Sequence, residues 1–232
     1  MMIELTSTPI IIMVILGVAG MIIPVINVLR KERGSSTFYG LIAFGALLLS
    51  LGYVIYRFYT DSVADSAIFS SDVLVDDGFG SFFAIAMLIV SIMAVAGSFN
   101  YMRKRSNPAI YFSLILLSSI GMVLIAFSTD LVMLFVAWEL MSIPTYILAG
   151  YNKKDPSSNE AAIKYFLFGA LSSGIIIYGI SLAYGITGST NIGDVIYGFS
   201  NLSPDMLPLG LLAIGMFIAG FGFKMGLVPF HM

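Results

Sequence analysis

Apolar runs of about 20 residues recur along this 232-residue sequence, and they constrain its fold more than any other feature. A helix of that length crosses the roughly 30 Å hydrocarbon layer of a bilayer. Strands are disfavoured, because the runs lack the residue-by-residue alternation of a membrane barrel and unpaired strand edges cannot face lipid. The sequence therefore predicts an all-α, polytopic transmembrane bundle of about seven helices, with spans near 10–29, 38–59, 81–101, 109–127, 131–150, 161–185 and 208–228.

Composition supports a single membrane domain with little chain left for a soluble one. Hydrophobic residues make up 59% and charged residues only 10%, against roughly 25% charged residues in soluble domains. The net charge of -2 gives no reason to expect a nucleic-acid partner, so the lipid bilayer is the expected surrounding. The absence of cysteine excludes thiolate metal sites and Cys-ligated iron–sulfur clusters, and a single histidine makes a haem or His-rich metal site improbable.

Loop charges predict the orientation, because Lys and Arg collect on the cytoplasmic side of membrane proteins. Basic residues follow the first, third and fifth runs: Arg30, Lys31, Arg33, Arg103, Lys104, Arg105, Lys153 and Lys154. The opposite loops are acidic, with Asp61, Asp65, Asp72, Asp76, Asp77, Asp130, Asp194 and Asp205. The first run follows Glu4 instead of a basic segment, so we interpret it as a retained helix and not a signal peptide. A multi-pass protein of the cell membrane, with its N-terminus outside, is predicted.

Three charged residues remain inside the predicted spans: Glu139, Lys164 and Lys224. Each costs a few kcal/mol at the centre of a bilayer, so a charge there is expected to have a partner, water or a function. Burial pushes a lysine toward its neutral form, while a nearby carboxylate favours the charged form. The three residues are therefore candidates for proton transfer.

Glu139 and Lys164 each have a competing structural interpretation. Glu139 lies midway along the fifth run, one turn before Pro144, which removes a backbone hydrogen bond. The alternative is a carboxyl group that only joins helices. Lys164 lies about one turn inside the sixth run, four residues after Glu160, so the alternative is a surface ion pair.

Lys224 lies in a segment that favours an interrupted helix. Gly220, Gly222 and Gly226 surround it and Pro229 follows, and helix breaks of this kind expose backbone groups to ion sites in membrane proteins. The alternative is a side chain that extends to the cytoplasmic surface. His231 is a further candidate for a proton route, with a solvated terminal histidine as the alternative.

Local signals in the sixth run predict how its helix begins and packs. Ser157 and Glu160 have the spacing of a capping box after Asp155-Pro156. Small residues at small-xxx-small spacing, which favours close helix contact in lipid, are interpreted as packing residues: Gly169, Ala170, Ser173 and Gly174. The stretch 186–207, rich in Gly, Ser, Thr and Asn, is predicted to be a connection without chemistry of its own.

Three collinear segments resemble the antiporter-like membrane subunits of proton-pumping NADH-quinone oxidoreductase (complex I), and subunit N most of all. They are Asp130 to Leu148 around Trp138-Glu139-Leu140, then Glu160-Ala161-Ala162-Ile163-Lys164-Tyr165-Phe166 leading to Tyr184-Gly185-Ile186-Thr187-Gly188-Ser189, then Phe223-Lys224 before Pro229-Phe230-His231. The first three spans are similar only in position and hydropathy.

The resemblance implies specific roles and a larger fold. Glu139, Lys164 and Lys224 would be the fifth-helix glutamate, the sixth-helix lysine and the lysine of a broken seventh helix. Glu139 and Lys224 would form a charge pair whose opening and closing is coupled to quinone reduction elsewhere in the complex. Family members have about fourteen helices in two inverted halves, so the chain would be an N-terminal portion. Residues 1–108 would hold helices 1–3, and residues 109–232 helices 4–7 of the first repeat.

The resemblance also implies partners and leaves rivals open. Other membrane subunits of complex I would be partners, and quinone, flavin and iron–sulfur clusters would lie in partner subunits, with no redox centre, cofactor or metal in this chain. The chain would then be enzymatic only as a subunit of that oxidoreductase. A subunit of a multisubunit cation/proton antiporter and a non-transporting structural subunit are the alternatives. An autonomous enzyme is disfavoured, because the sequence has no visible metal-ligand cluster or nucleophile–base pair.

Overall fold

The fold is known from a computed structural model, which describes residues 7–30, 35–61, 69–70, 73–103 and 105–230. Within these residues the regular secondary structure is helical, apart from one pair of two-residue strands and two isolated β-bridges. The helices are α1 (Thr8–Leu29), α2 (Ser36–Asp61), α3 (Gly78–Met102), α4 (Pro108–Phe127), α5 (Leu131–Ala149), α6 (Pro156–Thr187), α7 (Ile192–Ser200) and α8 (Leu207–Lys224). The strands β1 (Phe69–Ser70) and β2 (Val75–Asp76) pair antiparallel.

Seven of the described helices are long and apolar enough to cross a membrane, and α7 is the exception. The seven correspond one by one to the predicted apolar runs, which confirms the predicted all-α transmembrane bundle. Helix α8 ends at Lys224, four residues before the predicted end of its run. The chain then turns through Gly226, whose φ of +67° lies in the left-handed region that glycine adopts without a Cβ clash.

The capping box predicted for α6 is wrong. The cap is Asp155, whose side chain accepts a hydrogen bond from the Ser157 backbone N–H, and Pro156 occupies the first turn. A carboxylate at the cap and a proline at the first helical position both favour this earlier start. Helix α6 therefore begins five residues before the predicted run and is the longest helix described, with 32 residues.

The predicted connection 186–207 contains the nine-residue helix α7. Asn191 caps it, accepting hydrogen bonds from the backbone N–H groups of Gly193 and Asp194. Val195 turns inward and joins a buried cluster with Ile176 and Ile180 of α6. The segment therefore contains a short helix that packs against α6 and is not an extended loop.

Helix α4 is the centre of the first and larger core. Its residues pack against α1, α3 and α5, and two thirds of its span is buried inside the chain. Fully buried side chains from four helices meet there: Leu16, Leu47, Leu88, Phe112 and Leu116. A second cluster joins α5 to α6 and α7. The predicted division at residue 108 stays a prediction, since α4 shares its core with the helices on both sides.

The loops lie at the two ends of the bundle, as the predicted alternation of basic and acidic loops between successive spans requires. At one end, the Tyr151 hydroxyl after α5 donates to the backbone oxygen of Asn107 before α4 at 2.6 Å and lies 3.1 Å from that of Ser106. Burial, with a smaller contribution from Tyr111, raises the pKa of Tyr151 to about 12. The loops at this end carry Arg105, Lys153 and Lys154, whereas Lys31, Arg33 and Lys104 lie outside the described residues.

The opposite end holds acidic side chains. Asp76, only 3% exposed, accepts a 2.7 Å hydrogen bond from the backbone N–H of Thr8 and lies 3.5 Å from a guanidinium nitrogen of Arg57. Asp130 accepts from the hydroxyl of Thr190, which joins the start of α5 to the segment after α6. The loops thus segregate by charge, and the assignment of the basic end to the cytoplasm remains a prediction.

Candidate functional site

Glu139 lies midway along α5, and two features fix that helix in place. Asp130 caps it, accepting hydrogen bonds of 2.8 and 2.9 Å from the N–H groups of Val132 and Met133. Gly121 of α4 lets the backbone of α5 approach so closely that a Cβ there would lie 2.4 Å from the Met141 nitrogen. The turn of α5 that follows Glu139 is therefore held directly against the buried centre of the bundle.

Pro144 leaves α5 continuous. The helix runs through it to Ala149, although proline cannot donate to the carbonyl one turn earlier. Neighbouring hydroxyls bond within the same stretch: Ser142 donates to the Trp138 carbonyl at 2.8 Å, and Thr145 donates to the Ser142 carbonyl at 2.7 Å. These short polar bonds lie within two turns of Glu139.

Lys224, the last residue of α8, forms an ion pair with Glu139. Its Nζ lies 2.5 Å from Oε1 of Glu139, and the two side chains are only 4% and 23% exposed. The ammonium also lies 5.9 Å from the centre of the Trp138 ring. The structure thus brings together two of the residues predicted from the sequence, and the Lys224 side chain is directed into the bundle and not toward the surface.

Ser173 of α6 completes the site and was assigned only to packing from the sequence. Its hydroxyl lies 2.6 Å from Glu139 Oε1, the oxygen that also contacts Lys224. The small-xxx-small pattern predicted the packing helix but not the hydrogen bond of this residue to Glu139. The sequence alone does not show which face of α6 is turned toward Glu139, so it held no signal for this contact.

The adjacent Ser172 ties α6 to α8. It is 2% exposed, and its hydroxyl donates to the Gly220 carbonyl at 2.8 Å, one helical turn before Lys224. At the same level the helices nearly touch, since a Cβ on Gly220 would lie 2.4 Å from Cγ1 of Ile176. The position of the Lys224 backbone is therefore set by α6.

Gly169 allows α6 to approach α5 closely, as Gly220 allows α8 to approach α6. A Cβ at Gly169 would lie 2.3 Å from the Tyr146 hydroxyl oxygen, so glycine is required for this approach. By contrast, nothing lies within 4 Å of a Cβ built on Gly174. The predicted packing role therefore has a contact at Gly169 and none at Gly174 among the described residues.

The remaining predicted residues lie elsewhere. Lys164 pairs with Glu160, and the two side chains are 57% and 66% exposed, which is the surface ion pair considered as the alternative. No described contact joins Lys164 to Glu139 or Lys224. His231 lies outside the described residues.

The site suits proton transfer between two side chains. A buried carboxylate and ammonium in direct contact can hold one proton on either partner, as Glu⁻ with Lys⁺ or as the two neutral forms. The Glu139 carboxylate is already in contact with the Lys224 ammonium. In the part of the chain that the structure describes, no group of three metal-ligating side chains is present.

The family comparison covers the second half of the chain. Residues 128–232 match the model of the family described as NADH:quinone oxidoreductase/Mrp antiporter, TM. This segment contains α5, α6 and α8, which supply Glu139, Ser173 and Lys224.

Named relatives and a solved structure resemble nearly the whole chain. Subunit N of the NADH-quinone oxidoreductase of Desulfitobacterium hafniense is 39% identical over 99% of this chain and 44% of its own length. Subunit N of the F420H2 dehydrogenase of Methanosarcina mazei is 38% identical over 70% of this chain and 32% of its own. A chain of respiratory complex I from Thermus thermophilus superposes with a TM-score of 0.74 at 28% identity, covering 95% of this chain and 45% of that one. The chain thus spans less than half the length of these relatives.

Proposed function

The chain belongs to the antiporter-like family of membrane subunits of NADH:quinone oxidoreductases and Mrp antiporters, and we propose that it acts as a proton-translocating subunit of the N type. In this proposal quinone reduction in partner subunits drives proton transfer through Glu139 and Lys224. Lys164 is a separate proton-transfer residue of the proposed route, on the exposed side of α6. His231 is a further proposed proton-transfer residue.

The contact between Glu139 and Lys224 is the observation that carries the proposal. Two opposite charges brought together from α5 and α8, each largely buried, are costly to place in a membrane interior. A purely structural bundle could use apolar side chains here at no loss of stability. A site that must exchange protons requires titratable groups, which accounts for the charges.

The proposed partners and cofactors come from the relatives. Subunits N belong by name to an NADH-quinone oxidoreductase in Desulfitobacterium and to an F420H2 dehydrogenase in Methanosarcina. We therefore propose that other membrane subunits flank this chain and that quinone, flavin and iron–sulfur clusters reside in partner subunits. The electron donor differs between these relatives, so none is assigned here.

The proposed location is the energy-transducing cell membrane, with the N-terminus outside. The support is the separation of charge between the bundle ends, with Arg105, Lys153 and Lys154 at one end and Asp76 and Asp130 at the other. Cysteines introduced at single loop positions of this cysteine-free chain would test the orientation. A residue at the basic end is expected to react with an impermeant thiol reagent only from the cytoplasmic side.

Neutralisation of the pair tests the proposed function. Glu139→Gln and Lys224→Met are introduced into the chain in its native membranes, and proton translocation per quinone reduced is measured in sealed vesicles. We expect both variants to lose translocation while still assembling, since neither replacement can carry the proton. Asp205→Asn, in an exposed loop outside the site, is the matched control for a lost carboxylate and should translocate normally. Wild-type translocation by Glu139→Gln would overturn the proposal.

The family's second activity class is the competing function, because the matched family model includes Mrp antiporters. Co-purification separates the two: an oxidoreductase subunit brings iron–sulfur and quinone-reducing subunits along, and an antiporter subunit does not. A structural scaffold is separated by the neutral variants, which would then lower assembly but leave translocation per assembled complex unchanged.

A further inference from the structure

The Ser173 hydroxyl has two acceptors within hydrogen-bond distance but only one hydrogen to donate. Glu139 Oε1 lies 2.6 Å from Ser173 Oγ, and the Gly169 carbonyl oxygen lies 2.9 Å from it. Because a hydroxyl has one O–H and two lone pairs, it donates to one of these oxygens and can accept at the same time. We propose that Ser173 is a hydrogen-bond switch that serves both protonation states of Glu139, an inference that rests on the proposed function of the Glu139–Lys224 pair.

In the charged state Ser173 donates to the carboxylate. Glu139 then accepts from the Lys224 ammonium and from the Ser173 hydroxyl at the same oxygen. Hydrogen bonds to an ionised acceptor are shorter and stronger than neutral ones, which agrees with 2.6 Å to the carboxylate against 2.9 Å to the carbonyl. The Gly169 carbonyl keeps its helical partner in this arrangement, because a carbonyl has two lone pairs.

Proton transfer from Lys224 to Glu139 reverses the direction of the hydrogen bond between Ser173 and Glu139. One N–H bond of Lys224 breaks and one O–H bond forms on the Glu139 carboxyl, which leaves a neutral amine and a neutral acid. The Ser173 O–H then turns to the Gly169 carbonyl, and Ser173 Oγ accepts from the new carboxyl O–H. No atom or electron is left over, and the Ser173 hydroxyl has both a donor and an acceptor role to fill after the transfer.

The surroundings hold Ser173 where such a reversal needs only rotation of its hydroxyl. The preceding Ser172 bonds the Gly220 carbonyl of α8, and Gly169 lies against Tyr146 of α5, so α6 is held on both sides. The titratable groups near Glu139 are Lys224 from α8 and Tyr146 from α5. The contacts of Ser172 with Gly220 and of Gly169 with Tyr146 stay the same when the Ser173 hydroxyl rotates.

Three variants test the switch. Ser173→Ala removes the hydroxyl with little change in volume, and Ser173→Thr keeps it. Ser50→Ala is the matched control, because Ser50 is buried in α2 and its hydroxyl donates to the Ala46 carbonyl four residues earlier at 2.9 Å, the distance that also separates Ser173 Oγ from the Gly169 carbonyl oxygen. The control therefore removes a hydroxyl beside an equivalent helical carbonyl, without a carboxylate nearby.

Two readouts are taken in sealed native membranes that carry each variant. One is the rate of proton translocation, and the other is the infrared difference band of the protonated Glu139 carboxyl, identified by its loss in Glu139→Gln. Ser173→Ala is expected to lower the rate roughly tenfold, the effect of one hydrogen bond to a charged group, and to move the band to higher frequency because the acid loses its acceptor. Ser173→Thr should restore both, and Ser50→Ala should change neither.

The outcomes separate this inference from the proposed function. A Ser173→Ala variant with an unmoved band overturns the switch, whether or not its rate falls, because a structural role alone lowers the rate without touching the carboxyl. If Glu139→Gln abolishes translocation in the same preparation, the proposed function stands while the switch is rejected. Normal translocation by Glu139→Gln, or the absence of any Glu139 band, rejects both.

Discussion

The Lys224 ammonium nitrogen lies 2.5 Å from Oε1 of Glu139, although 85 positions separate the two residues in the sequence. The contact joins the last residue of α8 to the middle of α5, with α6 packed against both helices. Removal of two charges from water costs several kcal/mol for each ion, and only close contact offsets it. The helix contacts that set the distance between these atoms therefore matter as much as the charges.

Neutralisation of one partner should destabilise the bundle more than neutralisation of both. Lys224→Met leaves the Glu139 carboxylate buried without its cation, a loss of roughly 3–5 kcal/mol for a buried pair. The double variant Lys224→Met with Glu139→Gln removes both charges and should recover much of that loss. Thermal unfolding in detergent measures the difference, and a double variant less stable than either single one would contradict the account.

The exposed pair should behave differently. Glu160→Gln removes the partner of Lys164, but both side chains face outward and exposed ion pairs contribute little to stability. We expect no measurable change in the midpoint of thermal unfolding. A loss comparable with that of Lys224→Met would mean that Glu160 is buried against a neighbouring chain in the assembled protein.

Gly220→Ala should separate α8 from α6 and so disturb the pair from a distance. The added Cβ would lie 2.4 Å from Ile176 Cγ1, and overpacking of this kind costs about 1–3 kcal/mol. Gly215→Ala on the same helix is the control, since nothing lies within 4 Å of its Cβ. We expect lower thermal stability and slower proton translocation for Gly220→Ala alone. Equal behaviour of the two variants would show that α6 does not position Lys224.

Tyr151 should ionise late and stabilise the basic end of the bundle over most of the pH range. Burial raises its pKa from 10.0 to about 12, so the neutral, donating form is favoured in the folded state. Its stabilising contribution is therefore fully present below about pH 10 and is lost as the pH rises toward 12. Tyr151→Phe should lower stability at neutral pH by about 1 kcal/mol, the value of one hydrogen bond. The advantage of the wild-type protein over Tyr151→Phe should therefore fall above pH 10, and an advantage that grows there would contradict this assignment.

The spans were predictable from sequence because lipid imposes a single length scale on apolar helices. The short α7 was not, since its nine residues lie in a polar stretch and are held by the Asn191 cap and the Val195 contact. The cap of α6 was predicted two residues too late, because Asp155, and not Ser157, accepts the first backbone hydrogen bond. Caps of both kinds fit the sequence, and only the structure distinguishes them.

The site was predictable in its charges but not in its geometry. Glu139 and Lys224 were found because charges in apolar spans are rare. The spacing did not show which pair would meet, and only the family resemblance implied that Glu139 pairs with Lys224. Lys164 lies nine residues before Ser173, which places it about half a turn away on the opposite face of α6. That face is exposed and carries the Glu160 pair, so the helix that supplies Ser173 to Glu139 directs Lys164 away from it.

The most direct test of the account is proton translocation by Lys224→Arg. Arginine keeps the positive charge beside Glu139 but does not release its proton in proteins. If Lys224 transfers its proton to Glu139, the variant should assemble with its partners, retain the charge pair and translocate no protons in sealed membranes. Translocation at the wild-type rate would contradict the account, because Lys224 would then act only as a fixed positive charge.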